Sequence, residues 1–119
     1  MLCATSVISL KPSATRRSRA PATSCLTLAV RAQGRTVVTI EGLGSSARPH
    51  ALQTAFAEAG AIGCGFCTPA LILGAKSLLD AVPNPTEAEV REALTGLCRC
   101  TGYVKPVEAV LSTAARRER

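Results

Sequence analysis

The chain contains no tryptophan, and aromatic residues make up only 3% of it. An aromatic-rich sheet core is therefore excluded, and the apolar content, 47%, rests on Ala, Leu and Val, which suit helices. Acidic residues are missing before Glu41, whereas Lys11, Arg16, Arg17, Arg19, Arg31 and Arg35 all precede it. From Glu41 onward eight basic residues face eight acidic ones, so the net charge of +6 belongs to the N-terminal part. That distribution argues against a nucleic-acid surface on the folded remainder. No apolar run approaches membrane-spanning length. The apolar stretch Met1–Leu10 precedes the positive charges instead of following them, which is not the order of a secretory signal. Histidine occurs once, at His50, so cysteine, present six times, is the abundant metal-ligating residue. With 119 residues there is room for one compact domain and little more.

Three segments follow one another. Residues 1–24 are rich in Ser, Thr, Ala and Arg and show no helical or strand period, which predicts a disordered tail in preference to a transit segment. Residues 25–42 read as strands: Leu26, Leu28 and Val30 alternate with Thr27 and Ala29, Gln33-Gly34 supplies a turn, and Thr36 to Ile40 is a β-branched run. Residues 49–116 read as four helices. The first runs over about 49–59 with Leu52, Ala55, Phe56 and Ala59 inward, and stops at Gly60. The second opens at Thr68-Pro69, buries Leu71, Ile72, Ala75, Leu78, Leu79 and Val82, and ends at Pro83-Asn84-Pro85. The third opens with Thr86 and Glu89 at capping-box spacing and buries Val90, Ala93, Leu94 and Leu97. The fourth follows Thr101-Gly102 and buries Val104, Val107, Val110, Leu111 and Ala114. Short connections imply antiparallel neighbours.

Inside the helical part lies a weak repeat. Cys64-Gly65-Phe66-Cys67-Thr68 leads into the second helix, and Cys98-Arg99-Cys100-Thr101 leads towards the fourth. If the two halves pack about an approximate twofold axis, four thiolates converge near two helix N-termini. Unpaired N–H groups and a partial positive charge there suit an anionic cluster, and Arg99 adds a cation. A [2Fe-2S] cluster with four thiolate ligands is such an anion. Structural zinc is the rival occupant. CxxC, thirty residues, then CxC departs from zinc-ribbon loops, so the spacing favours iron–sulfur while leaving zinc, or cysteines without metal, open.

The run CGFCTPALILGAKSLLDAVPNPTEAEVREALTGLCRCTGYVKPVEAVL closely resembles the C-terminal [2Fe-2S] domain of the small iron–sulfur subunits of molybdenum hydroxylases, the group of xanthine dehydrogenase, aldehyde oxidoreductase and carbon monoxide dehydrogenase. CGFCTP followed by CRCTGY is highly specific. The resemblance reaches back through His50 to Gln53 and Thr39 to Leu43 as far as Ser24 to Ala29. It implies a plant-type ferredoxin domain followed by a four-helix domain, each with a [2Fe-2S] cluster, beside a molybdopterin-binding large subunit. It makes Cys64, Cys67, Cys98 and Cys100 the ligands of the helical domain's cluster. Four departures stand out. The N-terminal CxxxxCxxC motif is absent, and only Cys25 matches a ligand of that cluster, so residues 1–23 read as foreign sequence joined near Ser24. Gly63 stands where the family has a Gln that contacts the molybdenum cofactor, which removes an amide donor. Ala70 replaces a Gly. An Asn between Gly96 and Leu97 is missing, which shortens the loop before Cys98.

Other residues read more plainly. His50 sits at a helix start and is expected to cap it. Glu87, Glu89 and Glu92 favour the helix dipole instead of acid–base work. Tyr103 reads equally as a shield over the cluster and as core packing. Arg116, Arg117 and Arg119 read as a solvated tail. No nucleophile–base pair or phosphate loop occurs, so no catalytic residue is expected. The expected architecture is mainly α: a non-family or disordered segment at 1–24, a β-hairpin remnant of a ferredoxin-like β-grasp domain at 25–44, and a helical [2Fe-2S]-binding domain at 45–119. The expected function is electron transfer in the cytoplasm from a molybdopterin site in a partner subunit, with one cluster in this chain, a second predicted absent, and a flavin-binding subunit as a further partner. Neither nucleic acid nor a membrane span is expected. The alternative is a non-redox helical module with zinc or no metal, or a non-functional truncated product.

Overall fold

The computed structural model describes residues 7–12 and 20–117. Three strands precede four helices. Strands β1 (Val7–Pro12), β2 (Ala20–Thr23) and β3 (Arg35–Val38) form an antiparallel sheet in the order β2-β1-β3. In the register Val7 faces Thr23 and Leu10 faces Ala20 on one side, and Ser9 faces Val38 and Pro12 faces Arg35 on the other. Pro21 falls on the edge strand β2, where a missing N–H costs least.

This sheet differs from the sequence pattern. The strand expected over Leu26 to Val30 is absent. Two 3-10 turns, Ser24–Leu26 and Ala29–Ala32, take its place, and Leu26, Leu28 and Val30 are exposed. Alternation marks a strand only where a neighbouring backbone completes the ladder. Here β1 and β2 make the ladders from within residues 1–24, which show no period. The β-branched run does become a strand, β3. The basic residues Arg16, Arg17 and Arg19 lie outside the described residues.

The helices α1 (Ala51–Glu58), α2 (Thr68–Ala81), α3 (Glu87–Ala93) and α4 (Val104–Arg117) follow the caps. His50 Nδ1 accepts from the Leu52 N–H at 3.2 Å, and Gln53 Oε1 accepts from the His50 N–H at 2.8 Å. At α3 the Glu89 N–H donates to Thr86 Oγ1 at 3.3 Å and Glu89 Oε2 accepts from the Thr86 N–H at 2.7 Å. Both starts thereby satisfy donors that a helix leaves unpaired. The chain leaves α2 through the extended Val82 and enters Pro83.

Helix α4 packs on α1 and α3, α2 packs on α1 and α3, and β1 and β2 lie against α2. The core forms where these faces meet, around the fully buried Leu52, Phe56, Leu71, Val90 and Val110. Four expected core residues are not in it, and of these Val82 and Ala93 are half-buried outside the cluster. Leu97 is 89% exposed, because α3 ends at Ala93 and Leu94 leaves helical geometry at ψ 66°, so helical spacing no longer applies three residues on. Val104, the first residue of α4, is 53% exposed. Arg116 is not simply solvated, since it reaches Glu58 on α1 at 2.9 Å. Among the described residues no helix is long and apolar enough to cross a membrane.

Candidate metal centre

Two loops build the site. The first leaves α1 after Glu58. The Ala61 N–H donates to Phe56 O at 2.9 Å and the Ala61 side chain is buried, which anchors the start of the loop to the core. Gly65 then takes φ +83°, a conformation open to glycine, and the Thr68 N–H turns back onto Gly65 O at 3.3 Å. Cys64 and Cys67 stand at the two ends of this turn, with Cys67 as the N-cap position of α2. The second loop runs from the end of α3 to Tyr103. Cys98 Sγ lies 3.1 Å from Thr101 Oγ1 and accepts from the Thr101 N–H at 3.4 Å. The Cys98 N–H donates to the Tyr103 hydroxyl at 2.7 Å.

The loops meet. Cys64 lies beside Cys100, and Cys67 beside Cys98, so each pair takes one thiol from each loop. Cys67 is buried and Cys98 half-buried, whereas Cys64 and Cys100 are exposed. The site thus has an inner pair and an outer pair. Gly63 permits the closest approach: a β-carbon there would overlap Cβ of Cys100 and lie 3.2 Å from its sulfur. Among the described residues no three His, Cys, Asp or Glu side chains gather as around one metal ion. A tetrahedral zinc needs its four sulfurs about 2.3 Å from one point. Two pairs match the demand of two irons held by four thiolates.

The thiols differ in acidity. The Thr101 hydroxyl beside Cys98 draws its thiol down to about 7. The Phe66 N–H holds Cys64 below the ordinary thiol range, helped by Cys100. Burial pushes Cys67 up to about 11. Deprotonated sulfur is the metal ligand, so hydrogen-bond donors at Cys64 and Cys98 favour loading, and a metal cation must overcome the burial of Cys67.

The four cysteines singled out in the sequence stand as two pairs, and Arg99 is exposed between Cys98 and Cys100 in the sequence. Cys25 belongs to neither pair and is disulfide-bonded. His50 caps α1. Sequence reasoning missed the polar part played by Thr101 and Tyr103. The only signal for it was their place in CRCTGY, directly after the last cysteine.

The [2Fe-2S] binding domain family matches residues 39–111. The nicotinate dehydrogenase small FeS subunit of Eubacterium barkeri is 48% identical over 98 residues, which is 82% of this chain and 62% of that one. The nicotine 6-hydroxylase small subunit of Paenarthrobacter nicotinovorans is 53% identical over 89 residues, 74% of this chain and 53% of that one. The chain therefore spans between about half and two thirds of the length of these relatives. Among solved structures, quinoline 2-oxidoreductase from Pseudomonas putida 86 superposes with a TM-score of 0.80 at 40% identity, covering 98% of this chain and 70% of that one. The aldehyde oxidoreductase of Desulfovibrio gigas gives 0.85 at 35% identity, covering 98% of this chain and 12% of that one. At that coverage the structural likeness takes in residues before Ser24, the segment that the sequence pattern sets outside the family. The chain belongs to the [2Fe-2S] binding domain family, within the small iron–sulfur subunits of molybdenum hydroxylases.

Proposed function

We propose that Cys64, Cys67, Cys98 and Cys100 hold one [2Fe-2S] cluster and that the chain is the electron-transfer subunit of a molybdenum-dependent hydroxylase. The observation that carries this reading is the pairing of thiols across two loops, Cys64 with Cys100 and Cys67 with Cys98. When bound, such a cluster accepts and releases single electrons. The residues of this chain supply the setting. Phe66 and Thr101 direct N–H and O–H groups at ligand sulfurs, which stabilises their negative charge. Cys67 and Cys98 anchor the inner side against α2, and Cys64 and Cys100 face outward.

The outward side suits a partner. Ile62, Phe66, Leu97 and Val104, all in or beside the two loops, leave large apolar side chains exposed. We assign this face to a molybdopterin-binding large subunit, with a flavin-binding subunit as a further partner in the assembly. Substrate oxidation belongs to the large subunit, and this chain carries no catalytic residue. A single cluster per chain is supported by the missing CxxxxCxxC motif and by the disulfide at Cys25.

The test compares Cys100→Ser with Cys25→Ser after anaerobic purification. Cys100→Ser is expected to lose the visible absorbance of the cluster and Cys25→Ser to keep it. Equal loss in both variants would defeat the ligand assignment.

A further inference from the structure

Cys98 is held from three directions by two residues that follow it. Its sulfur faces the Thr101 hydroxyl at 3.1 Å and the Thr101 N–H at 3.4 Å, and its own N–H is taken by the Tyr103 hydroxyl at 2.7 Å. The Tyr103 N–H in turn donates to Thr101 Oγ1 at 3.3 Å. These contacts close a ring through Cys98, Thr101 and Tyr103. Tyr103 has φ +66°, directly after Gly102 at φ +59°. Among the described residues it is the only non-glycine in this region, where a β-carbon is strained. The turn of these two residues brings the tyrosine ring back over the loop, and the hydrogen bond to Cys98 holds it there.

Resting on the cluster assignment above, we propose that Thr101 and Tyr103 are positioning residues that set the reduction potential through Cys98. A thiolate bound to iron carries no proton, so the Thr101 hydroxyl is the donor in its contact with Cys98 Sγ. The Tyr103 N–H occupies an acceptor site on that hydroxyl and leaves its proton aimed at the sulfur. Hydrogen bonds to a ligand sulfur favour the more negative, reduced state and raise the potential. Tyr103 acts at one remove: its hydroxyl fixes the Cys98 backbone, and its N–H fixes the Thr101 rotamer. None of the other three ligands faces a side-chain hydroxyl among the contacts described, which makes Cys98 the sulfur most open to tuning.

The experiment uses the full chain with its cluster reconstituted anaerobically, and iron and sulfide are counted first. Midpoint potentials follow from a dye-mediated titration read by the EPR signal of the reduced cluster. Thr101→Val keeps the shape and removes the hydroxyl. It is expected to lower the equilibrium constant for one-electron reduction about tenfold, a shift of about 59 mV to the negative. Thr101→Ser restores a donor and should return the constant to within about twofold of the parent. Tyr103→Phe removes only the acceptor for the Cys98 N–H and should lower the constant about threefold. A fully loaded Thr101→Val protein with the parent's potential overturns the inference. If Thr101→Val holds no cluster, Tyr103→Phe decides, and a potential equal to the parent's overturns the inference. A parent chain that takes up no iron and sulfide overturns both this inference and the cluster assignment, whereas a loaded set of variants with unmoved potentials overturns this inference alone.

Discussion

Gly63 and Cys100 meet so closely that a β-carbon on residue 63 would overlap Cβ of Cys100. The contact joins the two loops that carry the four cysteines, and it accounts for the glycine. A Gln at this position, as the family resemblance implies, cannot be introduced alone, because its side chain would run into Cys100. Gly96 and Leu97 lie in the loop that brings Cys100 to this point. Gly63→Ala is therefore expected to destabilise the site by about 1–3 kcal/mol through overpacking. Gly63→Gln should do so at least as strongly, with faster loss of iron from both variants. Iron retention during dilution into buffer measures the effect. Retention equal to the parent's would mean that the second loop swings aside freely.

The core makes a sharper prediction than the surface. Phe56 is fully buried between α1 and its neighbours, so Phe56→Ala should cost about 3–5 kcal/mol in denaturant unfolding of the apo chain. Leu97 follows Leu94 at helical spacing yet is 89% exposed. Leu97→Ala should change stability by less than about 0.5 kcal/mol. A loss at Leu97 comparable to that at Phe56 would show that α3 continues past Ala93.

The start of α3 gives a pH signature. The Thr86 N–H and hydroxyl both face Glu89 Oε2, and these contacts hold the carboxyl below the ordinary glutamate range. A lowered folded-state pKa stabilises the fold at pH values above the unfolded glutamate pKa. That contribution is lost as the pH falls through the folded pKa. Glu89→Gln should flatten the acid limb of the stability curve and leave the alkaline limb unchanged. Thr86→Ala should cost about 1 kcal/mol at neutral pH, the value of a lost cap. An acid limb of the same steepness in Glu89→Gln would remove Glu89 from the account.

The helices were legible because their signals are local. Thr86 and Glu89 lie three residues apart and form the expected capping box; Thr68-Pro69 opens α2, but Thr68 is already its first helical residue and Cys67 takes the N-cap position without a side-chain cap. The four cysteines were legible for the same reason, each pair sitting within one short loop. The sheet was not. β1 finds its partners through backbone ladders to residues 20–23 and 35–38, and a ladder marks the sequence with alternation only where one face of the sheet is buried. The hold of Tyr103 on Cys98 was hidden as well. It depends on two successive residues with positive φ, and a tyrosine gives no advance notice of that conformation.

The central claim is one [2Fe-2S] cluster on four cysteines, and counting metal and sulfide in the anaerobically purified chain tests it most directly. The account predicts about two irons and about two acid-labile sulfides per chain, with no zinc. One zinc per chain without sulfide, or iron and sulfide near four each, would contradict it.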